Sequence, residues 1–432
     1  VRGIGYSIES NCVAQVDLHV LFTGPGLIFN ALESVVRSGY PMRVTTAGTA
    51  AFLGATVVAC CTCVNFGVAV WAVVTRPVLN SDFRGPWSFA MFARQHAAQL
   101  YQAAPLQAFQ QQVYPGFRSF FPYLYPPSFL LPCWWLGDFT FAKAEMLWTM
   151  AGIAVLGIAA ALLFRPGLRC FAIAALLASP ASLLNGASGE TGYFSSALLL
   201  AGFALLRGWP VAAGIAFGLL TLKPQLALLI PFALLGHGAT RALLAGGGTA
   251  LALIGLSCAV FPPALWLGWM HSLPEYQAEY LAAGKTLDLH SAVTVAGDLV
   301  GLGVTPVLAW SLQSLASLTS AAAVLWIFRH GPYHLAVAAV CAGTFLCAPH
   351  AYAYDTLPIA AALLLLAPAS TAGAAGCALV YLAPYLLLTS AKSWFVYTIP
   401  ETLLLGSIIY VAIGAGHRPN ILHEPVSPAE SR

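Results

Sequence analysis

Ala144-Glu-Met-Leu-Trp-Thr-Met-Ala-Gly-Ile-Ala-Val-Leu-Gly-Ile-Ala-Ala-Ala-Leu-Leu-Phe164 runs straight into Arg165-Pro-Gly-Leu-Arg169. At about 1.5 Å of rise per residue, this run reaches across the ~30 Å hydrocarbon core of a bilayer. The short basic turn that closes it reads as a cytoplasmic end. Apolar runs recur from Thr46 to Gly414. Of the 432 residues, 59% are hydrophobic and 8% charged, whereas soluble domains carry about 25% charged residues. An aqueous fold is excluded. The sequence predicts an all-α, polytopic integral membrane protein with about twelve transmembrane helices. Its first loop is long, extracytoplasmic, and expected to contain interfacial helices.

The formal net charge of +3 is small and scattered, so nucleic acid is not expected as a partner. Cys60, Cys61, Cys63, Cys170, Cys258, Cys341 and Cys377 fall inside apolar runs, where cysteine acts as a small hydrophobe. Cys133 and Cys347 lie nearer a membrane face, and no disulfide framework is expected.

Outward from that run, the topology follows from where the basic residues sit. Val1–Thr45 is weakly patterned and has no signal-type apolar core. It reads as a cytoplasmic N-terminal segment, or as an over-extended gene start ahead of Met42. Arg37 and Arg43 precede the first span, about Ala47–Val74, and hold the N-terminus inside. Asn80–Pro127 then lies outside, and Ser128–Ala142 dips into the outer interface with Trp134 and Trp135. Cys170–Leu184 and Tyr193–Leu206 flank the outward loop Asn185-Gly-Ala-Ser-Gly-Glu-Thr-Gly192, and the second of them closes at Arg207. Pro210–Leu222 rises again, Lys223-Pro224-Gln225 interrupts it, and Leu226–Leu235 returns towards Arg241. Ala242–Phe261 leads to a wet outer segment, His271–His290. Pro306–Phe328 returns to Arg329-His330, and Tyr333–Leu346 rises to Cys347-Ala-Pro-His-Ala-Tyr-Ala-Tyr-Asp355. Leu357–Leu366, Ala374–Leu388 and Phe395–Ile413 close the bundle. The domain division is 1–45 cytoplasmic, 46–414 transmembrane and 415–432 cytoplasmic tail. Every major polar cluster falls on the outer side.

Ionisable groups at membrane depth are costly and are functional candidates by default. Asp82, just after the first span and beside aromatics, is a candidate general base, although an aspartate there also suits a helix N-cap. Arg84 and Arg94 read either as interfacial anchors or as phosphate partners, since the guanidinium fork matches phosphate oxygens. Lys223, inside an apolar hairpin, either snorkels or meets an anionic ligand such as a lipid phosphate. His350 is a candidate phosphate or sugar contact, close to Tyr354 and Asp355. A second histidine at ligand spacing is missing, so no metal and no cofactor are expected. Glu190 is either a second acid or sugar ligand, or a solvated loop residue. Trp87, Tyr101, Tyr123 and Tyr125 form an interfacial belt or stacking walls for sugar rings. No P-loop signature and no serine or cysteine nucleophile motif occurs.

Five pieces, in order, resemble glycosyltransferase family 87, the membrane GT-C enzymes that include polyprenyl-phosphomannose-dependent mannosyltransferases. They are Asp82-Phe83 with Tyr101 downstream, Tyr123-Leu-Tyr-Pro-Pro127, Gly189-Glu-Thr-Gly192, Leu222-Lys-Pro-Gln225, and Pro349-His-Ala-Tyr-Ala-Tyr-Asp355. The resemblance covers roughly residues 78–368. Gly85-Pro86-Trp87 departs from the Tyr-rich text common after the first aspartate, and Glu190 stands where Gln is usual. The resemblance implies a polyprenyl-phosphate sugar donor, a glycolipid or glycan acceptor, and metal-independent, inverting transfer outside the cytoplasmic membrane of a cell envelope. It also implies Asp82 as base. Lys223, His350, Arg84 and Arg94 would serve the donor phosphate. Glu190, Trp87, Tyr101, Tyr123, Tyr125, Gln225, Tyr354 and Asp355 would serve sugar or acceptor. Membrane lipids are further partners. The alternative class is a transporter or flippase for a lipid-linked sugar, which the broken helix pairs would suit.

Overall fold

The structure, a computed structural model, describes residues 46–75, 82–115, 120–282, 292–366, 370–388 and 398–416. The N-terminal segment, the end of the His271–His290 segment and the C-terminal tail from residue 417 lie outside the described residues. The helices are α1 Thr46–Thr75, α2 Arg84–His96, α3 Ala103–Val113, α4 Leu130–Cys133, α5 Phe141–Leu163, α6 Arg169–Leu177, α7 Pro180–Ser188, α8 Gly192–Leu205 and α9 Pro210–Leu219. There follow α10 Ile230–His237, α11 Thr240–Val260, α12 Ala264–Ala282, α13 Val295–Gly301, α14 Pro306–His330, α15 Tyr333–Cys347, α16 Leu357–Leu366, α17 Thr371–Leu382 and α18 Thr398–Gly416. Among the described residues there is no strand, only an isolated bridge between Ala292 and Tyr352. The fold is all-α.

Helices α1, α5, α11 and α14 are each long and apolar enough to cross a bilayer. The pair α6–α7, bent by 55°, makes a fifth if it counts as one span. Among the described residues there are also six shorter apolar helical segments, including α8, α15 and α16. This is a multi-pass membrane protein.

The α6–α7 break divides what reads in sequence as one run, Cys170–Leu184. Pro180 has no N–H to continue the ladder, and Ser179 caps α7 by accepting from the Ser182 amide at 3.2 Å. Carbonyls freed in a membrane need partners. Asn65 of α1 supplies one, donating to the Ala178 carbonyl at 3.0 Å, and Tyr385 donates to the Asn65 amide oxygen at 2.6 Å. The Asn185–Gly192 loop is also shorter than the sequence suggests, because α7 runs on through Ser188 and leaves only Gly189–Thr191 as the turn.

Helix α15 is buried continuously from Leu335 to Cys347, as expected of a helix at the centre of a bundle. Helices α14, α16 and α18 pack around it. Helices α9 and α11 approach closely through small residues: a Cβ on Gly214 would strike the Ala242 carbonyl, and one on Gly218 would strike Thr249.

The long first loop is folded. Helices α2 and α3 close over an aromatic core of Phe83, Trp87, Phe89, Phe92, Tyr123, Phe129 and Trp148. Of the three consecutive glutamines, Gln110 is buried and pairs with the Phe121 backbone through both ends of its amide, at 2.9 and 3.0 Å. From α12, the Trp269 indole donates to the Leu124 carbonyl at 3.1 Å. The aromatic segment Tyr123–Pro127 is thereby held in one place.

Candidate active site

Four stretches meet at one end of the bundle, and the local sequence explains each. The first is the Gly189–Gly192 turn. Gly189 takes φ +68°, the left-handed conformation that ends α7 at little cost for glycine alone. At Gly192 a Cβ would overlap the Asn185 side-chain amide and the Tyr354 carbonyl. Only glycine lets the start of α8 sit there. Glu190 and Thr191, held between these two glycines, are directed at the other stretches.

The second is the α9 hairpin. The helix tightens into a 3₁₀ turn at Leu220–Leu222 and stops at Lys223, with φ −130° and ψ 73°. A residue before proline avoids the α region, and Pro224 has no N–H to extend the ladder. The third is the segment after α15, where Tyr352 and Asp355 form a reciprocal capping box around a 3₁₀ turn. The fourth is Tyr123–Pro127, leading into α4.

Lys223 is buried, with its Nζ 2.6 Å from Asp355 Oδ1 and 3.1 Å from Thr191 Oγ1. It also lies 5.1 Å from the centre of the Tyr354 ring. The second oxygen of Asp355 accepts from the Tyr352 amide at 3.3 Å. Glu190 Oε2 accepts from the Tyr125 hydroxyl at 3.2 Å and from the Thr191 amide at 3.3 Å. Burial lifts the Glu190 carboxyl to about 7; Lys223 pulls it down, while Asp82 and Asp355 push it further up. His350 stands edge-on to Tyr352, with ring centres 4.7 Å apart. Burial, then the nearby Lys223, lowers His350 to about 3, so it is neutral at physiological pH.

Asp82 reaches this group from a different part of the chain. The Phe83 amide donates to the Ser188 carbonyl at 2.9 Å, which stitches the start of α2 to the end of α7. The Asp82 carboxylate acts electrostatically on Glu190. Helix α2 has Phe83 at its N-cap position, with Asp82 just before it.

Not every candidate from the sequence touches the cluster. Arg94 ion-pairs with Asp138 at 2.6 Å, donates to the Trp134 carbonyl at 2.8 Å and is exposed. Arg84 is buried, with its guanidinium 5.1 Å from the Tyr114 ring centre. Trp87 donates to the Phe139 carbonyl at 3.0 Å, inside the loop core. Tyr101 donates to the Tyr125 carbonyl at 2.7 Å, and Tyr123 donates to the Pro126 carbonyl at 3.0 Å. Both brace Tyr125, which stacks on Phe129 with ring centres 3.9 Å apart. Gln225 lies half-buried on the Lys223 turn.

Thr191 and Asn185 were not singled out from the sequence, although both lie in the Gly-rich stretch. Thr191 bonds Lys223, and Asn185 donates to the Tyr354 carbonyl at 3.3 Å. Glu401 of α18 was also missed. It is buried and lines a small separate cavity with Ser179, Ala353, Thr356 and Tyr381, beside the Asp355 turn.

The assembled group offers carboxyls, one fixed ammonium and aromatic faces, which suits hydroxyl and phosphate chemistry. Comparison with family models matches residues 123–349, just over half of the chain, to glycosyltransferase family 87. Comparisons with curated proteins and with solved structures give no match. The matched region carries Tyr125, Glu190 and Lys223 and ends one residue before His350. The chain belongs to glycosyltransferase family 87 and is a membrane glycosyltransferase.

Proposed function

We propose that this enzyme transfers a hexose, with mannose the first to be tested, from a polyprenyl-phosphate donor to an acceptor hydroxyl on a glycolipid or glycan. The reading is carried by the meeting of Asp82 with the Glu190 turn beside a fixed, buried Lys223. Asp82 is the general base. It takes the acceptor hydroxyl's proton as that oxygen bonds to the anomeric carbon, and the anomeric carbon–oxygen bond to the lipid phosphate breaks on the opposite face. The leaving phosphate is already ionised, so the site stabilises charge rather than supplying a strong acid. Lys223 supplies the positive charge, and neutral His350 supplies a ring N–H. A single carboxylate base without a nucleophile inverts the anomeric centre. Tyr354, Tyr125 and Glu190 contact the sugar.

The same reading sets the protein in the inner membrane with about twelve crossings and the site facing the periplasm. In its support, helices with one end at the cluster have basic residues at the other. Arg207 follows α8 and precedes α9, and Arg329 precedes α15. Cytoplasmic ends carry such residues.

The test is transfer of radiolabelled mannose from polyprenyl-phosphate mannose to a membrane glycolipid extract by protein in nanodiscs, compared with Asp82→Asn. Transfer by wild type, lost in the variant with donor binding retained, is the expected result. Near-normal rates in Asp82→Asn would overturn the base assignment.

A further inference from the structure

Glu190 stands among charges from several elements. Asp82 faces it from the start of α2, Asp355 and Tyr354 from the segment after α15, Lys223 from the end of α9, and Tyr125 from the segment before α4. Both of its hydrogen bonds among the described residues go to Oε2, from Tyr125 and the Thr191 amide, which leaves Oε1 for a ligand. Lys223 is the cation that bears on it, and the Lys223 ammonium is directed at Asp355 and Thr191 instead. His350, which faces Lys223, is neutral.

A donor with a phosphodiester brings a fixed negative charge into this group. Like charges a few Å apart in a poorly solvated site are strongly unfavourable, and a carboxyl relieves them by taking a proton. Glu190 is the carboxyl suited to do so. Asp355 already contacts the Lys223 ammonium directly, and Asp82 must stay ionised to act as base. Resting on the donor reading above, we propose that Glu190 takes up a proton as the anionic lipid-phosphate donor binds, and that its neutral carboxyl donates a hydrogen bond to the donor where a carboxylate would repel it. Burial already brings Glu190 close to neutrality, so the uptake falls within the working pH range. Glu190 thus sets the pH above which the donor is lost.

The phosphodiester itself does not titrate near neutral pH, so a proton taken up goes to the protein. The experiment is calorimetry of polyprenyl-phosphate mannose binding to the full chain in nanodiscs at pH 8, in buffers of different ionisation enthalpy. Wild type should take up close to one proton per donor, and its Kd should weaken about tenfold per pH unit above pH 8. Glu190→Gln should take up none and bind with a flat Kd from about pH 6 to 9. Wild-type binding without proton uptake overturns the proposal whether or not the variant folds. Undiminished uptake in Glu190→Gln also overturns it, because the proton would then go to another group such as His350. Failure of wild type to bind this donor at any pH overturns the donor reading itself, a different result from binding without uptake.

Discussion

The Lys223 ammonium lies 2.6 Å from the carboxylate of Asp355, a residue 132 positions further along the chain, and both side chains are buried. Their contact joins the α9 hairpin to the turn after α15. It also determines where the positive charge of the site can be. Asp355, expected from the sequence to meet sugar or acceptor, has one oxygen on Lys223 and the other on the Tyr352 amide. We propose that it positions the lysine.

Removing one partner of a buried pair leaves the other charge uncompensated, at a cost of about 3–5 kcal/mol. Lys223→Met and Asp355→Leu should each lower the melting midpoint markedly in a detergent thermal-shift assay. The double variant should recover much of the stability yet stay inactive in sugar transfer. A double variant that transfers sugar would remove Lys223 from the phosphate role.

Gly192→Ala inserts a methyl where the Asn185 amide and the Tyr354 carbonyl already sit. Overpacking of this kind costs about 1–3 kcal/mol, and here it also displaces Glu190 and Thr191. Loss of transfer with a lowered midpoint is expected. Gly157→Ala on α5, where nothing lies within 4 Å of the added carbon, is the control and should leave both unchanged.

Stability should depend on pH through Glu190, whose folded value of about 7 is raised from an ordinary 4.5. Below 4.5 folded and unfolded states both hold the proton. Between the two values the folded state alone holds it, so stability falls as pH rises, and the loss is complete above about 7. Melting midpoints across this range should decline in wild type, and Glu190→Gln should flatten the decline. An equal decline in both proteins would assign it to another group.

Arg94 is expected to matter little to transfer. Its partner Asp138 is exposed, and exposed ion pairs contribute little to stability. Arg94→Ala should leave kcat and the donor KM near wild type, with at most a slight shift in melting midpoint. A KM raised tenfold or more would return Arg94 to the donor phosphate.

Much of this was legible along the chain because its causes are local. Length and apolarity mark α5, α11 and α14 as membrane-crossing, since a bilayer of set thickness selects them whatever their neighbours. The break at Lys223-Pro224 follows from proline's missing N–H, a property of a single residue. Residue type also marked Asp82, Glu190, Lys223 and His350 as chemically capable groups. Which partners they have was decided by the tertiary structure alone. Arg84 and Arg94 carry the same guanidinium on one helix, yet Arg84 is buried over Tyr114 while Arg94 is exposed on Asp138. Tyr101, Tyr123 and Tyr125 are alike in sequence, yet only Tyr125 reaches Glu190, while Tyr101 and Tyr123 hydrogen-bond backbone carbonyls of its own segment. A hydrogen bond or ion pair depends on distance and direction within a few tenths of an ångström. Helix packing sets those quantities between residues tens to more than a hundred positions apart, and no local pattern encodes them.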